Sequence, residues 1–264
     1  MTGIAAWTSD SLEMVRRNLI HIKRTPELLL DVTLSPIMFV LLFNFVFGGA
    51  IGGIVGAQGG AKQDYINYMM AGIFVQTIAF AGIYTSVLLA NDLQKGMIDR
   101  FRSLPMSQSA VLTGRTLTDL LRAMLAIAIM WIVGMLVGFR PEGGIAGNAA
   151  AIGLMLLFGF ALSWIGVAAG ALVRTPEALQ GIIFAVVFPL TFVSSAFVPT
   201  GSMPDWLQWF ADRQPMTLVM NEVRDLTLGI DLYSAELSAT LWCVGILAVG
   251  FPLGLWLYNR RTTQ

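Results

Sequence analysis

The chain has 264 residues, 56% of them hydrophobic and only 12% charged, with a formal net charge of zero and a mean hydropathy of +0.73. A soluble domain carries about a quarter of its residues charged, so a soluble globular fold is excluded, and a neutral chain offers no basic field to a nucleic acid. What fits is an integral membrane protein, in which each crossing takes ~20 mostly apolar residues.

Taken in chain order, residues 1–30 read as an amphipathic helix on the membrane surface. Asp10 and Glu13 have the spacing of a helix N-terminal cap with its reciprocal partner. Leu12, Val15, Leu19 and Ile22 recur on one face, while Arg16, Arg17, Lys23 and Arg24 occupy others, where they meet anionic headgroups. Thr25 and Pro26 end this helix, because proline removes a backbone donor and restrains the residue before it. It serves as an anchor, as a partner-binding element, or as both. With no apolar run before it, the start of the chain does not read as a cleavable signal peptide, and the first span is expected to act as its own insertion signal.

Six apolar stretches follow, at 34–57, 65–90, 120–139, 149–173, 181–198 and 237–258. The fold class expected is therefore all-α and polytopic, one transmembrane domain of six helices. Gly48, Gly49, Gly52, Gly53 and Gly56, with Pro189 and Pro252, sit inside spans, where small residues allow close helix approach and proline bends a helix.

Two connecting segments are too long to be simple turns. Segment 91–119 holds Asp92, Lys95, Asp99, Arg100 and Arg102 around Met97, Ile98, Phe101 and Leu104, with a break at Pro105. An apolar centre with a charged edge suits a docking patch; the alternative is a solvated loop that only sets topology. Segment 199–236 carries Trp206, Leu207, Trp209 and Phe210, then Met216, Leu218, Val219, Met220 and Val223 interrupted by Glu222, Arg224 and Asp225. That charge density prevents crossing, so one or two interfacial helices are expected, with the Trp pair at headgroup depth.

Six spans put both termini on one side. That side collects twelve Lys and Arg against four on the other, while the carboxylates divide evenly. The positive-inside rule then places both termini and 91–119 in the cytoplasm.

The chemistry that would make this chain self-sufficient is missing. Lys23, Lys62 and Lys95 follow Ile22, Ala61 and Gln94, so no lysine follows a glycine and no phosphate-cradling P-loop exists. Ion coupling places ionisable groups at mid-membrane, and Asp31 and Arg122 are expected at cytoplasmic span ends instead. His21 reads as a surface residue, Cys243 as apolar packing, and Asp205 and Asp212 have no His or Cys companions. No catalytic or metal residues are assigned.

The stretches Asp99 to Leu125, DRFRSLPMSQSAVLTGRTLTDLLRAML, and Phe188 to Leu226, FPLTFVSSAFVPTGSMPDWLQWFADRQPMTLVMNEVRDL, resemble the two signature regions of type-2 ABC transporter permeases. The likeness is nearest to the daunorubicin-resistance subgroup. It implies a separate ATPase subunit that binds ATP and Mg, with no cofactor in this chain, and a second permease copy as homodimer or a sibling permease as pseudo-dimer. It implies export of hydrophobic drugs, polyketides or lipid-linked products across a bacterial cytoplasmic membrane. By position, Lys95, Asp99, Arg100, Phe101 and Arg102 would form the coupling helix received by the ATPase. Pro199, Pro204 and Pro215, with Trp206 and Trp209, would shape an outer segment that re-enters the membrane. A non-transporting scaffold and an ion-coupled carrier are the rival classes.

Overall fold

The computed structural model describes residues 27–47, 62–94, 108–173, 175–233 and 235–262. All regular structure among them is helical. Helix α1 is Glu27–Leu42 and runs into a π-helical turn, Phe43–Phe47; α2 is Lys62–Gln94, α3 Gln108–Val137, α4 Gly144–Leu172 and α5 Pro176–Phe192. A 3-10 turn at Thr200–Ser202 precedes the short α6, Asp205–Ala211, then α7, Pro215–Leu228, and α8, Glu236–Thr262.

Among the described residues four helices are long and apolar enough to cross a membrane, over Tyr65–Gln94, Thr116–Val137, Gly144–Leu172 and Glu236–Arg261. The first and fifth expected spans correspond to shorter apolar helices, Pro36–Val46 and Pro176–Phe192. Residues 48–57 of the first, with their glycines, lie outside the described residues, as does the amphipathic segment before Glu27.

Helix bounds depart from the hydropathy bounds for local reasons. Helix α5 starts at Pro176, whose fixed φ suits the first helical position, after Thr175 in extended conformation. It stops at Phe192 instead of continuing to 198. The Ser194 hydroxyl donates to the Thr191 carbonyl and accepts from Ala196 N at 3.2 Å, and such local bonding competes with helix. The stretch expected to connect the second and third spans is partly helix too, since α2 runs on to Gln94 and α3 begins at Gln108. Each residue added to an existing helix gains a backbone hydrogen bond, whether or not it lies in the apolar layer.

Helix α4 is the hub, packed chiefly against α2 and α8. Water does not drive helices together inside lipid, so contact depends on backbones that approach closely. A Cβ on Gly166 would lie 3.1 Å from the Ile83 carbonyl oxygen, and one on Gly170 only 2.7 Å from that of Ser86. On the other side of α4, Trp164 meets Phe251 of α8 edge-on at 4.6 Å. The faces turned outward are apolar, with Leu121, Met124, Ile132 and Leu136 on α3 and Leu241, Val249 and Trp256 on α8 exposed. Faces of that size belong against lipid or another chain.

The helices alternate in direction, and their ends are tied. At one end, Arg140 N donates to Asn67 Oδ1 at 3.0 Å and Gly143 N to the Thr227 carbonyl at 2.9 Å. This joins the start of α2, the α3–α4 turn and α7. At the opposite end, Arg261 Nη1 donates to the carbonyls of Gly170, Ala171 and Val173 at 2.9, 3.0 and 2.7 Å, joining the end of α8 to the end of α4.

Candidate functional site

Among the described residues two places gather polar groups inside an otherwise apolar bundle. The first is a cap at the α7 end. Helix α7 begins at Pro215, which occupies its first turn, and ends at Gly229, whose φ of +67° closes the helix with a left-handed residue. Met216, Val219, Met220 and Val223 turn one side of it into the core. Its charged residues also point inward: Glu222, Arg224 and Asp225 are all buried. The segment expected to form interfacial helices packs these charges against the bundle.

Arg224 is the centre of this cap, with 2% of its surface exposed. Its Nε donates to the Tyr68 carbonyl at 3.2 Å, Nη1 to Asn221 Oδ1 at 2.8 Å and Nη2 to the Ser195 carbonyl at 2.9 Å. Its guanidinium also stacks 3.7 Å over the Tyr68 ring. One side chain thus ties α7 to α2 and to the turn after α5. Ser195 Oγ donates to Asn221 Oδ1 at 2.7 Å, and the Gln214 amide donates to the Val193 carbonyl and, at 3.1 Å, to that of Leu190. Only glycine fits at position 72 of α2, where a Cβ would lie 2.2 Å from the Ala196 carbonyl oxygen.

Glu222 lies beside this network. Burial raises its carboxyl to about 7, and the negative charges of Asp225, Glu236 and Asp231 add to the rise. A folded-state pKa above the ordinary carboxylate value means that the folded form holds a proton the unfolded form releases. Stability is then highest below about 4.5 and falls as pH rises through about 7. Replacing Glu222 by Gln is expected to raise the thermal midpoint at pH 8, on the order of 1–2 kcal/mol after allowing for solvent screening, and to leave it unchanged at pH 4. Melting curves of both proteins across that range check it.

The outer residues named from sequence occupy distinct positions in the cap. Pro199 precedes the 3-10 turn, Pro204 precedes α6 and Pro215 opens α7, so each stands where a helical turn starts. Trp206 and Trp209 are 74% and 62% exposed, and the Arg213 guanidinium lies 4.8 Å over the Trp209 ring. Lys95, Asp99, Arg100, Phe101 and Arg102 lie outside the described residues.

The second place is a cavity of about 280 Å³ between α1, α2, α3 and α5. Pro36, Phe39, Phe80, Ala81, Ile183, Phe184 and Phe188 form its apolar walls, and Gln76, Thr77, Tyr84 and Arg122 are its polar lining. Arg122, expected near the cytoplasmic end of a span, lies in the first third of an apolar helix. It sits six residues inside Thr116–Val137, about 9 Å along the helix axis, and is 6% exposed. Its Nη2 stands 3.2 Å from Asp119 Oδ1, and the other oxygen of Asp119 accepts from the Thr85 hydroxyl at 2.6 Å. Arg122 Nε has no acceptor among the described residues. The Asp119-x-x-Arg122 spacing, which stacks the pair on one helix face, was the available signal. Nothing comparable in the sequence pointed to Tyr68, Ser195 and Asn221 converging on Arg224.

Residues 11–228 match the family described as ABC-2 type transporter. The chain belongs to the ABC-2 type transporter family. As an ABC-2 chain it is 34% identical to the daunorubicin resistance ABC transporter permease protein DrrB1 of Streptomyces coeruleorubidus, over 98% of this chain and 89% of that protein. It is 25% identical to a probable doxorubicin resistance ABC transporter permease protein, DrrC, of Mycobacterium tuberculosis, over 70% of this chain and 68% of that one. A putative transport permease of Cyanophora paradoxa, ycf38, is 26% identical over 81% of this chain and 72% of its own length. These relatives are permeases. Among the described residues of this ABC-2 chain, no cluster of three His, Cys, Asp or Glu is placed to hold a metal.

Proposed function

We propose that this chain is the membrane-spanning subunit of an ATP-driven exporter that moves hydrophobic drugs, polyketides or lipid-linked products out of a bacterial cell. The observation that carries the reading is the near full-length relation to a daunorubicin resistance permease, on top of the family match over residues 11–228. ATP and Mg bind to a separate ATPase subunit, because no phosphate loop stands in this sequence. Two permease copies, or this chain and a sibling, enclose the path, and the outward apolar faces of α3 and α8 are surfaces available for that pairing and for lipid. Lys95, Asp99, Arg100, Phe101 and Arg102 receive the ATPase in the cytoplasm, and the α6–α7 cap, with Pro199, Pro204, Trp206, Trp209 and Pro215, forms the outer segment ahead of the last span. The twelve-to-four distribution of Lys and Arg supports a cytoplasmic-membrane location with both termini inside.

The experiment is affinity purification of the tagged chain from its native membrane in mild detergent. An ABC ATPase should co-purify in equal amount, and its hydrolysis rate should rise when daunorubicin is added. Recovery of the chain with no nucleotide-binding subunit, from membranes that export the drug, contradicts the reading. A second reading is kept by one observation: the Asp119–Arg122 pair lies within a span, where coupling ions act in ion-driven carriers. Collapse of the proton gradient in the presence of ATP separates the two.

A further inference from the structure

The cavity between α1, α2, α3 and α5 differs from an ordinary packing gap in that a cationic side chain with unused donors opens onto it. Arg122 is more than nine-tenths buried and lines the cavity, and among the described residues its carboxylate partner is Asp119, at a single 3.2 Å approach. Asp119 is itself shared with Thr85. The guanidinium carries five N–H donors, and Nε meets no acceptor among the described residues. A buried donor without an acceptor is costly, which selects for something that supplies one.

The rest of the lining fixes the kind of molecule. Phe184 and Phe188 stack at 4.7 Å on α5, with Phe184 60% exposed at the rim, and make a flat apolar wall. Gln76 and Thr77 stand on the α2 side. Among the described residues the lining holds no acidic side chain, so its charge favours an acceptor over a cation. The volume of about 280 Å³ is at the small end of ligand pockets, ~300–1,000 Å³, and suits a body of two or three fused rings or a short acyl portion.

We propose that this cavity is a lateral binding site for an amphiphile whose apolar body lies along Phe184 and Phe188 and whose anionic or carbonyl acceptor takes the unused donors of Arg122. Asp119 and Thr85 are positioning residues that hold the guanidinium in place. The inference rests on the exporter reading only in naming the occupant as cargo, and binding is measured without transport.

The test uses the purified chain in phosphatidylcholine nanodiscs, with two fluorescent probes that share one body, anthracene-9-carboxylate and 9-(aminomethyl)anthracene, each corrected for uptake by empty discs. The carboxylate should bind about tenfold tighter or more, the ratio expected of one charge-assisted hydrogen bond. The paired variant Arg122→Gln/Asp119→Asn, which leaves no lone buried charge, should abolish that preference. Ala81→Trp, which fills the cavity and leaves the ion pair intact, should abolish binding of both probes, and it decides the matter if the paired variant does not fold. Equal affinity of the two probes for the wild type, or a preference that survives Ala81→Trp, overturns the site. Discs containing phosphatidylglycerol distinguish the source of the acceptor: competition marks a lipid headgroup, undiminished probe binding marks a free amphiphile, and either supports the acceptor chemistry. Daunorubicin export in cells is scored in parallel. Export lost with probe binding intact counts against the exporter reading alone, and binding absent in a chain that exports counts against the site alone.

Discussion

Arg224→Ala should destabilise the protein by about 3–5 kcal/mol, because it removes one side chain on which three elements depend. The carbonyls of Tyr68 and Ser195 and the amide oxygen of Asn221 each lose a donor at 2.8–3.2 Å, and the Tyr68 ring loses the guanidinium above it. Asn221 Oδ1 keeps the Ser195 hydroxyl as a donor, while an acceptor left buried and unmatched costs ~1–3 kcal/mol, and the groups share one site, so the losses do not simply add. Arg224→Lys keeps the charge but not the planar fork and should fall between the two. Intrinsic tryptophan fluorescence during thermal unfolding in detergent measures all three proteins. A midpoint for Arg224→Ala equal to that of wild type would mean that the cap does not depend on this residue.

The second large effect is expected at the segment proposed to receive the ATPase. Arg100→Glu/Arg102→Glu should leave membrane insertion and the melting midpoint unchanged, since both lie in a polar stretch between α2 and α3. It should nonetheless abolish ATPase retention and export. Reversing charge on desolvated interface residues costs ~2–5 kcal/mol or more, a loss of tenfold to several thousandfold in affinity. Pull-down of the ATPase and export of daunorubicin are followed together in wild type and double variant. A double variant that keeps both would move the docking site elsewhere, whereas loss of insertion would show that the residues act on topology.

Much of the architecture was legible because long apolar runs leave few options in lipid. Helices with every backbone group internally bonded are the one form of span available to such runs. Residues 65–90, 149–172 and 237–258 accordingly lie within α2, α4 and α8, the fourth expected span overrunning its helix by the one extended residue Val173. The ends were less legible, since hydropathy reports where the apolar layer stops and not where hydrogen bonding does. Helix α5 stops early because Ser194 turns its hydroxyl onto the backbone, and α3 starts early because helix propagates through Gln108–Asp119 regardless of polarity. The inward orientation of the charged residues of α7 was not legible for a related reason. Counting charge in a window says that the segment does not cross, but it does not say that Arg224 turns inward to meet Tyr68 and Ser195, contacts that span 156 and 29 residues of chain. A hydropathy bound at residue 120 puts Arg122 two residues into its span, whereas the apolar helix that begins at Thr116 has it six residues in.

The central claim is that energy enters from ATP hydrolysed on another chain. Its most direct test is uptake of daunorubicin by sealed inside-out vesicles that contain this chain with or without the co-purified ATPase. The account predicts uptake that needs ATP, Mg and the ATPase together, stops with a hydrolysis-deficient ATPase, and persists when an ionophore collapses the proton gradient. Uptake by the chain alone, abolished by the ionophore and indifferent to ATP, would contradict it.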